Sequence, residues 1–318
     1  MKNTKASVTV SVVVPSYNHA TFVATCLRSI IKQTLPPTEL LVIDDGSTDN
    51  SPAVIESVLK NATFPTELIV STNRGLCATL NHALELTKGD YFAYLSSDDI
   101  WLADFLKART NLLQRRPNAV LAYGHCYLID AHNSVIDSTS EWANYADGDA
   151  RTMLVGTTAP MSPTVLYVRD SLSKHGWNEQ SALEDFELYL KLSLEGEFAF
   201  DPTVLSAWRW HEGNTSWNQE MMLDEHLSAL EKVSNDFGIN EEEFEQLRKK
   251  IKFNRAEDFL RVGEKSKAVQ LVLENLDAIH DSRSLKIAMR LLLPYRAVSW
   301  RRKRKQREAM ERYGVIEV

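Results

Sequence analysis

The sequence predicts an α/β protein with a mostly parallel central sheet, helices on both faces of that sheet and an α-helical extension at the C-terminus. Three observations predict this class. Short β-branched runs alternate with helical apolar periodicity from Val8 to Tyr123, which is typical of parallel strands joined by helices. Helical periodicity alone continues beyond about Leu223. The 318 residues suffice for one large domain and such an extension.

The strands of this sheet are predicted from short apolar runs, because strands buried on both faces lack polar alternation. Pro15 ends the first run, since proline has no N–H group to donate within a sheet. The five runs span residues 8–14, 40–43, 68–70, 91–95 and 120–123.

The helices between these strands are predicted from their spacing and their first residues. Phe22, Cys26 and Ile30 recur every fourth residue, as on one face of a helix. Ser51-Pro52 pairs a capping residue with a proline at the first helical position. Further helices are predicted at residues 76–86 and from near Trp101.

The periodicity is lost between Asp130 and Thr164, where polar residues gather around Trp142 and Tyr145 as in a loop-rich binding segment. Elements then resume as a strand at 164–168, a helix at 183–194 and a strand at 204–210. Within the extension, the segment from Phe259 to Val269 resembles one tetratricopeptide-type hairpin, and one unit does not make a repeat array. We therefore divide the chain into residues 1–222 and a helical extension over residues 223–318.

The charge of the chain is unevenly distributed. The net charge of -7 and the pI of about 5.7 argue against general binding of nucleic acid. Residues 301–307 carry six positive charges, so the remainder sums to -7 - 6 = -13. This basic run lies next to Trp300, and we expect Trp300–Arg307 to contact anionic lipid. The alternative is a solvated helix end.

Nothing in the sequence indicates export or membrane insertion. Cys26, Cys77 and Cys126 are odd in number and far apart, so we expect small core residues in a reducing compartment. The first apolar run is short and predicts a strand rather than a signal peptide. No stretch approaches the ~20 apolar residues of a membrane span. We expect a cytoplasmic protein that can lie on the inner face of the cytoplasmic membrane.

Two acidic segments follow predicted strands. These segments are Asp44-Asp45-Gly46-Ser47 and Ser96-Ser97-Asp98-Asp99. The carboxyl ends of neighbouring parallel strands border the crevice in which open α/β sheets bind ligands. One acidic pair can hold a nucleoside and the other a divalent metal on a diphosphate. The alternative is that both are turns and helix caps, which favour the same residue types.

The usual phosphate-binding loops are missing from the sequence. Pro15-Ser16-Tyr17-Asn18-His19 stands after the first strand, where a dinucleotide-binding protein would have G-x-G-x-x-G. There is also no G-x-x-x-x-G-K-[ST] motif. A divalent ion, Mn²⁺ or Mg²⁺, held by carboxylates is the obvious substitute, because hard cations bridge phosphate oxygens.

Six motifs in order resemble those of family 2 glycosyltransferases, which have the GT-A fold. The resemblance as a whole covers roughly residues 8–217. They are Val10-Ser11-Val12-Val13-Val14-Pro15-Ser16-Tyr17-Asn18, Asp44-Asp45-Gly46-Ser47-Thr48-Asp49, Asn73-Arg74-Gly75, Gly89-Asp90-Tyr91, Ser97-Asp98-Asp99, and the pair Gly176-Trp177-Asn178-Glu179 and Glu184-Asp185-Phe186-Glu187-Leu188.

This resemblance implies a GT-A, Rossmann-like fold with a nucleotide-sugar half at about residues 1–128 and an acceptor half at about 129–222. Ser96 stands where many relatives have another acid, so the implied metal site has one carboxylate fewer. The implied roles are nucleotide binding by Pro15, Tyr17, Asn18, Asp45, Arg74 and Asp98, metal binding by Asp99 and His211, general-base catalysis by Asp185 with Glu184 beside it, and acceptor binding by Trp177. We expect Trp142, in the loop-rich segment, to bind the acceptor as well.

Simpler interpretations of these residues stay open. Glu184-Asp185 also suits the first turn of a helix, where acids complement the helix dipole. His211, before the predicted turn at Gly213-Asn214, is as often structural as a ligand, and His125 is expected in the core or a loop.

The sequence and the resemblance together predict an inverting, metal-dependent glycosyltransferase. A sugar from a nucleoside-diphosphate sugar, most simply a UDP-sugar, would pass to a hydroxyl of a glycan or lipid-linked acceptor. The expected setting is cell-surface polysaccharide synthesis, such as O-antigen or capsule. The alternatives are a sugar nucleotidyltransferase and a non-catalytic nucleotide- or sugar-binding scaffold.

Overall fold

The computed structural model describes residues 8–211, 217–279 and 282–318. Within them, one curled sheet is formed in the order β3-β2-β1-β4-β8-β6-β9-β5, with β7 paired to β6. The strands are β1 (Val10–Ser16), β2 (Glu39–Asp44), β3 (Thr66–Val70), β4 (Tyr91–Tyr94), β5 (Ile100–Trp101), β6 (Ala119–Ile129), β7 (Val135–Ser138), β8 (Leu166–Val168) and β9 (Glu197–Arg209).

The sheet is parallel where the nucleotide half was predicted and mixed beyond it. Strands β3, β2, β1 and β4 pair in parallel, and so do β6 and β9. Strands β8, β7 and β5 run antiparallel to their neighbours. The mostly parallel sheet is therefore confirmed, with three short antiparallel strands that the apolar runs did not distinguish.

Twelve α-helices surround and extend the sheet within the described residues. They are α1 (Val23–Ile31), α2 (Ser51–Leu59), α3 (Leu76–Leu86), α4 (Phe105–Arg115), α5 (Arg151–Val155), α6 (Arg169–Leu172), α7 (Glu184–Glu195), α8 (Gln219–Val233), α9 (Glu241–Val262), α10 (Lys265–Glu274), α11 (Ser282–Leu291) and α12 (Tyr295–Tyr313).

The first strand shows why continuous apolar runs predict a doubly covered sheet. Val12 and Val14 pack with helices α1, α2 and α4 on one face, whereas Val13 packs with α3 and α7 on the other. All three valines are fully buried. Alternate residues of a strand point to opposite faces, so both faces of β1 need apolar side chains.

Two segments differ from the sequence prediction. Trp101 lies in the short strand β5, which pairs with β9, and α4 begins only at Phe105. The loop-rich segment from 130 to 164 also contains β7 and α5, which the sequence did not predict. The two strands β5 and β7 were missed because short strands depend on pairing partners that are distant in sequence.

The C-terminal helices share an apolar cluster with α7 and the sheet. Helix α9 begins with a capping box between Asn240 and Glu243 and ends at Gly263 in the left-handed conformation. Helix α12 returns to the sheet, where the Val135 N–H donates to the Gly314 carbonyl at 2.9 Å and Ser134 bridges to Val315. None of the described helices is long and apolar enough to span a membrane.

Candidate active site

The two acidic segments lie at the same edge of the sheet. Strands β1 and β2 are in register up to Ser16 and Asp44, and the Asp45 N–H donates to the Ser16 carbonyl at 2.8 Å. On the other side of β1, the Leu95 N–H donates to the Val13 carbonyl. The loops after β1, β2 and β4 are therefore neighbours, as the parallel arrangement requires.

The first acidic pair combines a turn with a buried carboxylate. Asp44 accepts hydrogen bonds from the Ser47 N–H and hydroxyl at 2.9 and 2.7 Å, so it stabilises the turn. Asp45 accepts hydrogen bonds from the backbone N–H groups of Arg74 and Gly75 at 2.8 and 2.9 Å. These bonds orient Asp45 and leave lone pairs on its oxygens for a ligand.

Gly46 is required in this turn for two reasons. Its φ of +77° is a left-handed conformation that residues with a Cβ rarely adopt. A Cβ at this position would also lie 2.8 Å from the Asn73 backbone nitrogen. The close approach of the two loops is what brings the Arg74 N–H to Asp45.

The loop after β1 forms the rim of the predicted nucleoside pocket. Asn18, at a φ of +54°, donates its N–H to the Ser47 hydroxyl and accepts from the Thr48 N–H, each at 2.8 Å. The side chain of Tyr17 is 47% exposed at this rim, where a base can stack on it. Pro15 is buried within β1, so it shapes the strand end and offers no surface to a ligand.

Asp98 lies within a cluster of three potential metal ligands. Its Oδ2 is 2.9 Å from Nε2 of His211, and its Oδ1 is 3.9 Å from Nδ1 of His19. One donor atom from each of the three side chains lies within 4.8 Å of the others. Two imidazoles and a carboxylate are a set that binds divalent transition metals.

Aromatic packing positions the two imidazoles. The Phe22 ring stacks on His211 with centroids 5.4 Å apart, and His19 meets His211 edge-on at 5.7 Å. The Ser97 hydroxyl lies 2.8 Å from Nδ1 of His19. Burial lowers the pKa of His19, although Asp98 acts in the opposite direction, and a neutral imidazole is the form that binds metal.

Asp99, predicted as the metal ligand, is not a member of this cluster. It is 1% exposed, and its Oδ1 accepts a hydrogen bond from the backbone N–H of Arg209 at 2.8 Å. Burial, followed by the charge of Asp98, raises the pKa of Asp99 well above its usual value. The geometry therefore favours Asp98, which was predicted to bind the nucleotide, as the carboxylate ligand in place of Asp99.

Arg209 connects the acidic segment to the predicted acceptor half. Its Nε donates to the Asp98 carbonyl and its Nη1 to the Asp130 carbonyl, each at 2.6 Å, and the guanidinium lies 4.7 Å from the centroid of the Phe22 ring. Because Arg209 is 1% exposed, these contacts are shielded from water. The residue thus fixes the Asp98 backbone from a strand more than 100 residues away.

Asp185 opens helix α7 and lies in an aromatic environment. It is 7% exposed, and its Oδ1 accepts the Tyr94 hydroxyl at 2.6 Å. Burial, followed by the charge of neighbouring Glu184, raises the pKa of Asp185 well above its usual value. Burial also raises the pKa of Glu184. A carboxyl group with a raised pKa is suited to general-base chemistry near neutral pH.

The two predicted acceptor residues differ in exposure. Trp142 is 50% exposed in the acceptor half, so its ring can contact a ligand. Trp177 is 3% exposed and packs edge-on against Tyr94 at 5.9 Å. Its ring face is therefore buried, and the residue supports the surroundings of Asp185 instead of forming an acceptor platform. The backbone N–H of Trp177 donates to the Asn81 side chain, which fixes the position of Trp177.

Sequence reasoning missed His19, Tyr94 and Arg209. His19 stands in the loop after β1, and a histidine at the same sheet edge as Asp98 was a signal for a metal ligand. Tyr94 is the last residue of β4, two positions before the second acidic segment. Arg209 carried no local signal, because its partners lie far away in the sequence.

Comparison with known proteins supports the family resemblance. Residues 11–176, slightly more than half of the chain, match the family model described as glycosyl transferase family 2. The Escherichia coli protein UDP-Glc:alpha-D-GlcNAc-diphosphoundecaprenol beta-1,3-glucosyltransferase WfgD is 33% identical over 128 residues, which cover 40% of this chain and 49% of that protein. The chain spans about half or less of the length of the first curated relatives it matches, among them a chondroitin synthase of Escherichia coli.

Two solved structures share the fold across most of the chain. S. aureus TarS in complex with UDP-GlcNAc has a TM-score of 0.59 at 18% identity and covers 96% of this chain and 91% of that one. A mannosyltransferase from Pyrobaculum calidifontis with GDP-Man and Mn²⁺ has a TM-score of 0.59 at 18% identity, covering 95% and 86%. These likenesses confirm the GT-A fold, and with the family match they show that the chain belongs to glycosyl transferase family 2.

Proposed function

We propose that this protein is a metal-dependent, inverting glycosyltransferase that uses a nucleoside-diphosphate sugar, with UDP as the nucleotide. The observation that carries the proposal is the arrangement of Asp185 and the His19–Asp98–His211 cluster around the carboxyl edge of one sheet. Burial and the charge of Asp98 raise the pKa of Asp99, and the charge of Glu184, next to Asp185, adds to this shift. Relatives described as a glucosyltransferase and chondroitin synthases support this class of reaction.

The donor nucleoside is assigned to the loops after β1, β2 and β3. Tyr17 offers an exposed ring for stacking, and Asp45 offers carboxylate oxygens that the Arg74 and Gly75 N–H groups already orient. An acceptor oxygen suits the N–H of a pyrimidine ring, which favours UDP. The exposed side chain of Arg74 can reach toward a phosphate.

The diphosphate is assigned to the metal-ligand cluster, and the residues present fit such an ion. His19, Asp98 and His211 would hold it. Their nitrogen-rich donor set favours Mn²⁺ over Mg²⁺, because Mg²⁺ takes oxygen ligands almost exclusively. A bound divalent ion would offset the charge that develops on the departing diphosphate. Phe22 and Arg209 hold the ligand side chains and the Asp98 backbone in place before any substrate arrives.

The transfer itself is assigned to Asp185. Its carboxylate takes the proton of the acceptor hydroxyl while that oxygen attacks the anomeric carbon. The bond between the anomeric carbon and the diphosphate oxygen breaks, and the nucleoside diphosphate leaves with the electron pair. A single in-line displacement of this kind inverts the anomeric centre. The Tyr94 hydroxyl orients the carboxylate and stabilises its charged form.

The acceptor class is a glycan or a lipid-linked glycan of a cell-surface polysaccharide, such as O-antigen or capsule. The name of the WfgD relative, which includes a diphosphoundecaprenol-linked acceptor, supports this assignment. The exposed ring of Trp142 gives the acceptor half an aromatic surface on which a sugar can pack.

A location at the inner membrane surface follows from a lipid-linked acceptor. Leu285 and Met289 in helix α11, and Leu292 directly after its end, form an apolar stripe with exposures of 53%, 58% and 83%. Trp300, 56% exposed, follows in α12 next to Arg301 and Arg304. We propose that this apolar stripe and its flanking cations contact anionic lipid. We expect the protein to bind phosphatidylglycerol vesicles in a salt-sensitive way. The double substitution Leu285→Ser/Leu292→Ser should weaken this binding.

Titration with UDP, with and without Mn²⁺, tests the proposed function. We expect Mn²⁺ to tighten UDP binding in the wild-type protein and in Asp185→Asn, because Asp185 acts on the acceptor. A protein that binds UDP but hydrolyses no sugar nucleotide would fit the scaffold alternative instead. A protein that binds UDP equally well with and without Mn²⁺ would contradict the metal assignment.

A further inference from the structure

A cavity lies near the candidate active site, since Trp210, which lines it, directly precedes His211. It has a volume of about 530 Å³ and is formed between helix α12 and the end of the acceptor half of the sheet. Its lining residues are Asp130, Ile136, Trp210, Arg302, Lys303, Gln306, Arg307 and Met310. Nothing in the reaction proposed above uses this cavity.

The wall that α12 contributes is fixed to the acceptor half. Lys305 forms an ion pair with Asp137 at 3.1 Å, and Arg312 forms one with Glu141 at 2.9 Å. Beyond the helix, the Ile316 N–H donates to the Asn133 carbonyl at 2.9 Å. The basic run is thus docked on β7 along one side, and its cations have definite positions relative to the site.

The cavity is positively charged. Arg302, Lys303 and Arg307 contribute three cations, against one carboxylate from Asp130. The Asp130 Oδ1 accepts the His132 and Ser134 N–H groups at 2.8 and 2.9 Å, so the loop holds this acid. Lys303 and Arg307 form no ion pair within the part of the chain that the structure describes.

Trp210 places this cavity next to the proposed metal ligand His211. It is the residue before His211, and its backbone N–H donates to the Ile129 carbonyl at 2.8 Å. Its ring is half-buried between Trp208 and Trp217, with centroids 5.5 and 5.3 Å away. A ligand in the cavity therefore meets an aromatic surface at one end and cations along α12.

We infer that this cavity is a subsite for the phosphate or diphosphate group of the acceptor. Guanidinium and ammonium groups on one helix face match the charge and the several oxygens of such a group. The Trp210 ring then faces the sugar that the phosphate carries, next to His211. That the ligand is the acceptor rests on the proposed function, whereas the binding of a phosphate group does not.

Paired substitutions on α12 test this inference. Lys303→Gln/Arg307→Gln removes two cavity cations, and Arg296→Gln/Arg301→Gln removes two cations of the same helix that do not line the cavity. All four side chains are exposed, so both variants should fold, which thermal unfolding checks. Arg302 is kept, because its Nη1 donates to the Arg261 carbonyl and holds α12 on α9.

The first measurement is calorimetric titration with inorganic pyrophosphate in EDTA. We expect the cavity variant to bind pyrophosphate about tenfold more weakly or worse, the effect of losing charge-assisted hydrogen bonds. The control should stay within about twofold, because exposed charges outside the cavity act only through a screened field. Equal losses in both variants, or no loss in the cavity variant, would overturn the inference.

The second measurement compares two acceptors that differ only in the diphosphate. For a short-chain alkyl glycosyl diphosphate, the cavity variant should raise KM about tenfold with kcat unchanged. The matching alkyl glycoside should show no difference between the variants. A raised KM for both acceptors would contradict a phosphate subsite.

Two further results separate this inference from neighbouring ones. If wild-type protein hydrolyses no sugar nucleotide, the proposed function fails, and the pyrophosphate titration alone decides whether the anion subsite exists. If the cavity variant loses binding to phosphatidylglycerol vesicles but keeps its affinity for pyrophosphate, the cations serve a lipid surface and the subsite is refuted.

Discussion

Replacing Tyr94 with phenylalanine removes the hydroxyl that donates a 2.6 Å hydrogen bond to Oδ1 of Asp185. The aromatic ring, which packs edge-on against Trp177, is retained. The substitution therefore changes the electrostatics of the proposed base without opening a large cavity. We expect it to shift the pH dependence of catalysis, in contrast to a substitution that removes the base.

The size of this shift follows from burial. Tyr94 is 1% exposed and Asp185 is 7% exposed, so water screens their hydrogen bond little. A hydrogen bond to a charged group contributes about 1.5–3 kcal/mol, and one pH unit corresponds to about 1.4 kcal/mol. Because the bond favours the charged carboxylate, its loss raises the pKa of Asp185, by about 1–2 pH units.

The assay is kcat as a function of pH at saturating donor and acceptor. Asp185 must be ionised to act as the base, so the acidic limb of the profile should move to higher pH by about 1–2 pH units in Tyr94→Phe. At pH values above that limb, the rate should recover to within about tenfold of wild type. Tyr123→Phe is the matched control, since its buried hydroxyl donates to the Ala146 carbonyl instead.

An unchanged acidic limb in Tyr94→Phe would refute this reasoning. It would mean either that Asp185 is not the titrating base or that its charge does not depend on Tyr94. A uniform loss of rate at every pH would point to a purely structural role for the hydroxyl. The Tyr123→Phe control should show wild-type pH dependence, whatever stability it loses.

Three further substitutions test the site. Asp185→Asn should lower kcat by ~10²–10⁴, the usual contribution of a general base, while UDP affinity stays within about twofold; near-normal turnover would place the base elsewhere. Glu184→Gln removes a charge that raises the pKa of Asp185, so the acidic limb of kcat should move to lower pH, and a limb that moves upward would contradict the assigned coupling. Asp98→Ala should abolish Mn²⁺-dependent UDP binding, measured by calorimetry, and retention of that binding would return Asp99 to consideration as the ligand.

The sequence predicted the edge of the sheet at which the site lies, because its signals there are local. The acids after β2 and β4 follow apolar runs directly, and the first-turn position of Asp185 could be predicted from helical spacing. Such patterns determine which residues share an edge. They do not determine which atom of a residue faces the ligand.

The choice between Asp98 and Asp99 shows what local patterns leave out. The two residues are adjacent and chemically equivalent. They differ in the structure because the backbone N–H of Arg209 donates to Oδ1 of Asp99. Trp177 is similar, because only its contacts with Tyr94 and Asn81 show that its ring is buried. Both outcomes depend on contacts between residues about 80 to 110 positions apart.

The basic tail illustrates the same point at a larger scale. Composition alone suggested a surface for anionic lipid over Trp300–Arg307. The structure divides these charges, with Lys305 paired to Asp137, Arg304 paired to Glu308, and Lys303 and Arg307 lining the cavity. The division follows from the docking of α12 on β7. No periodicity in the sequence predicts this docking.

Metal-dependent hydrolysis of sugar nucleotides tests the central claim most directly, because slow hydrolysis needs no acceptor. A panel of UDP- and GDP-sugars would be incubated with wild-type protein and Asp98→Ala, in Mn²⁺ and in EDTA, and nucleoside diphosphate release would be measured. We predict release from at least one UDP-sugar by wild-type protein in Mn²⁺, with none above background in EDTA or in Asp98→Ala. Release that is equal in EDTA and Mn²⁺, or unchanged in Asp98→Ala, would contradict a metal-dependent site built on His19, Asp98 and His211.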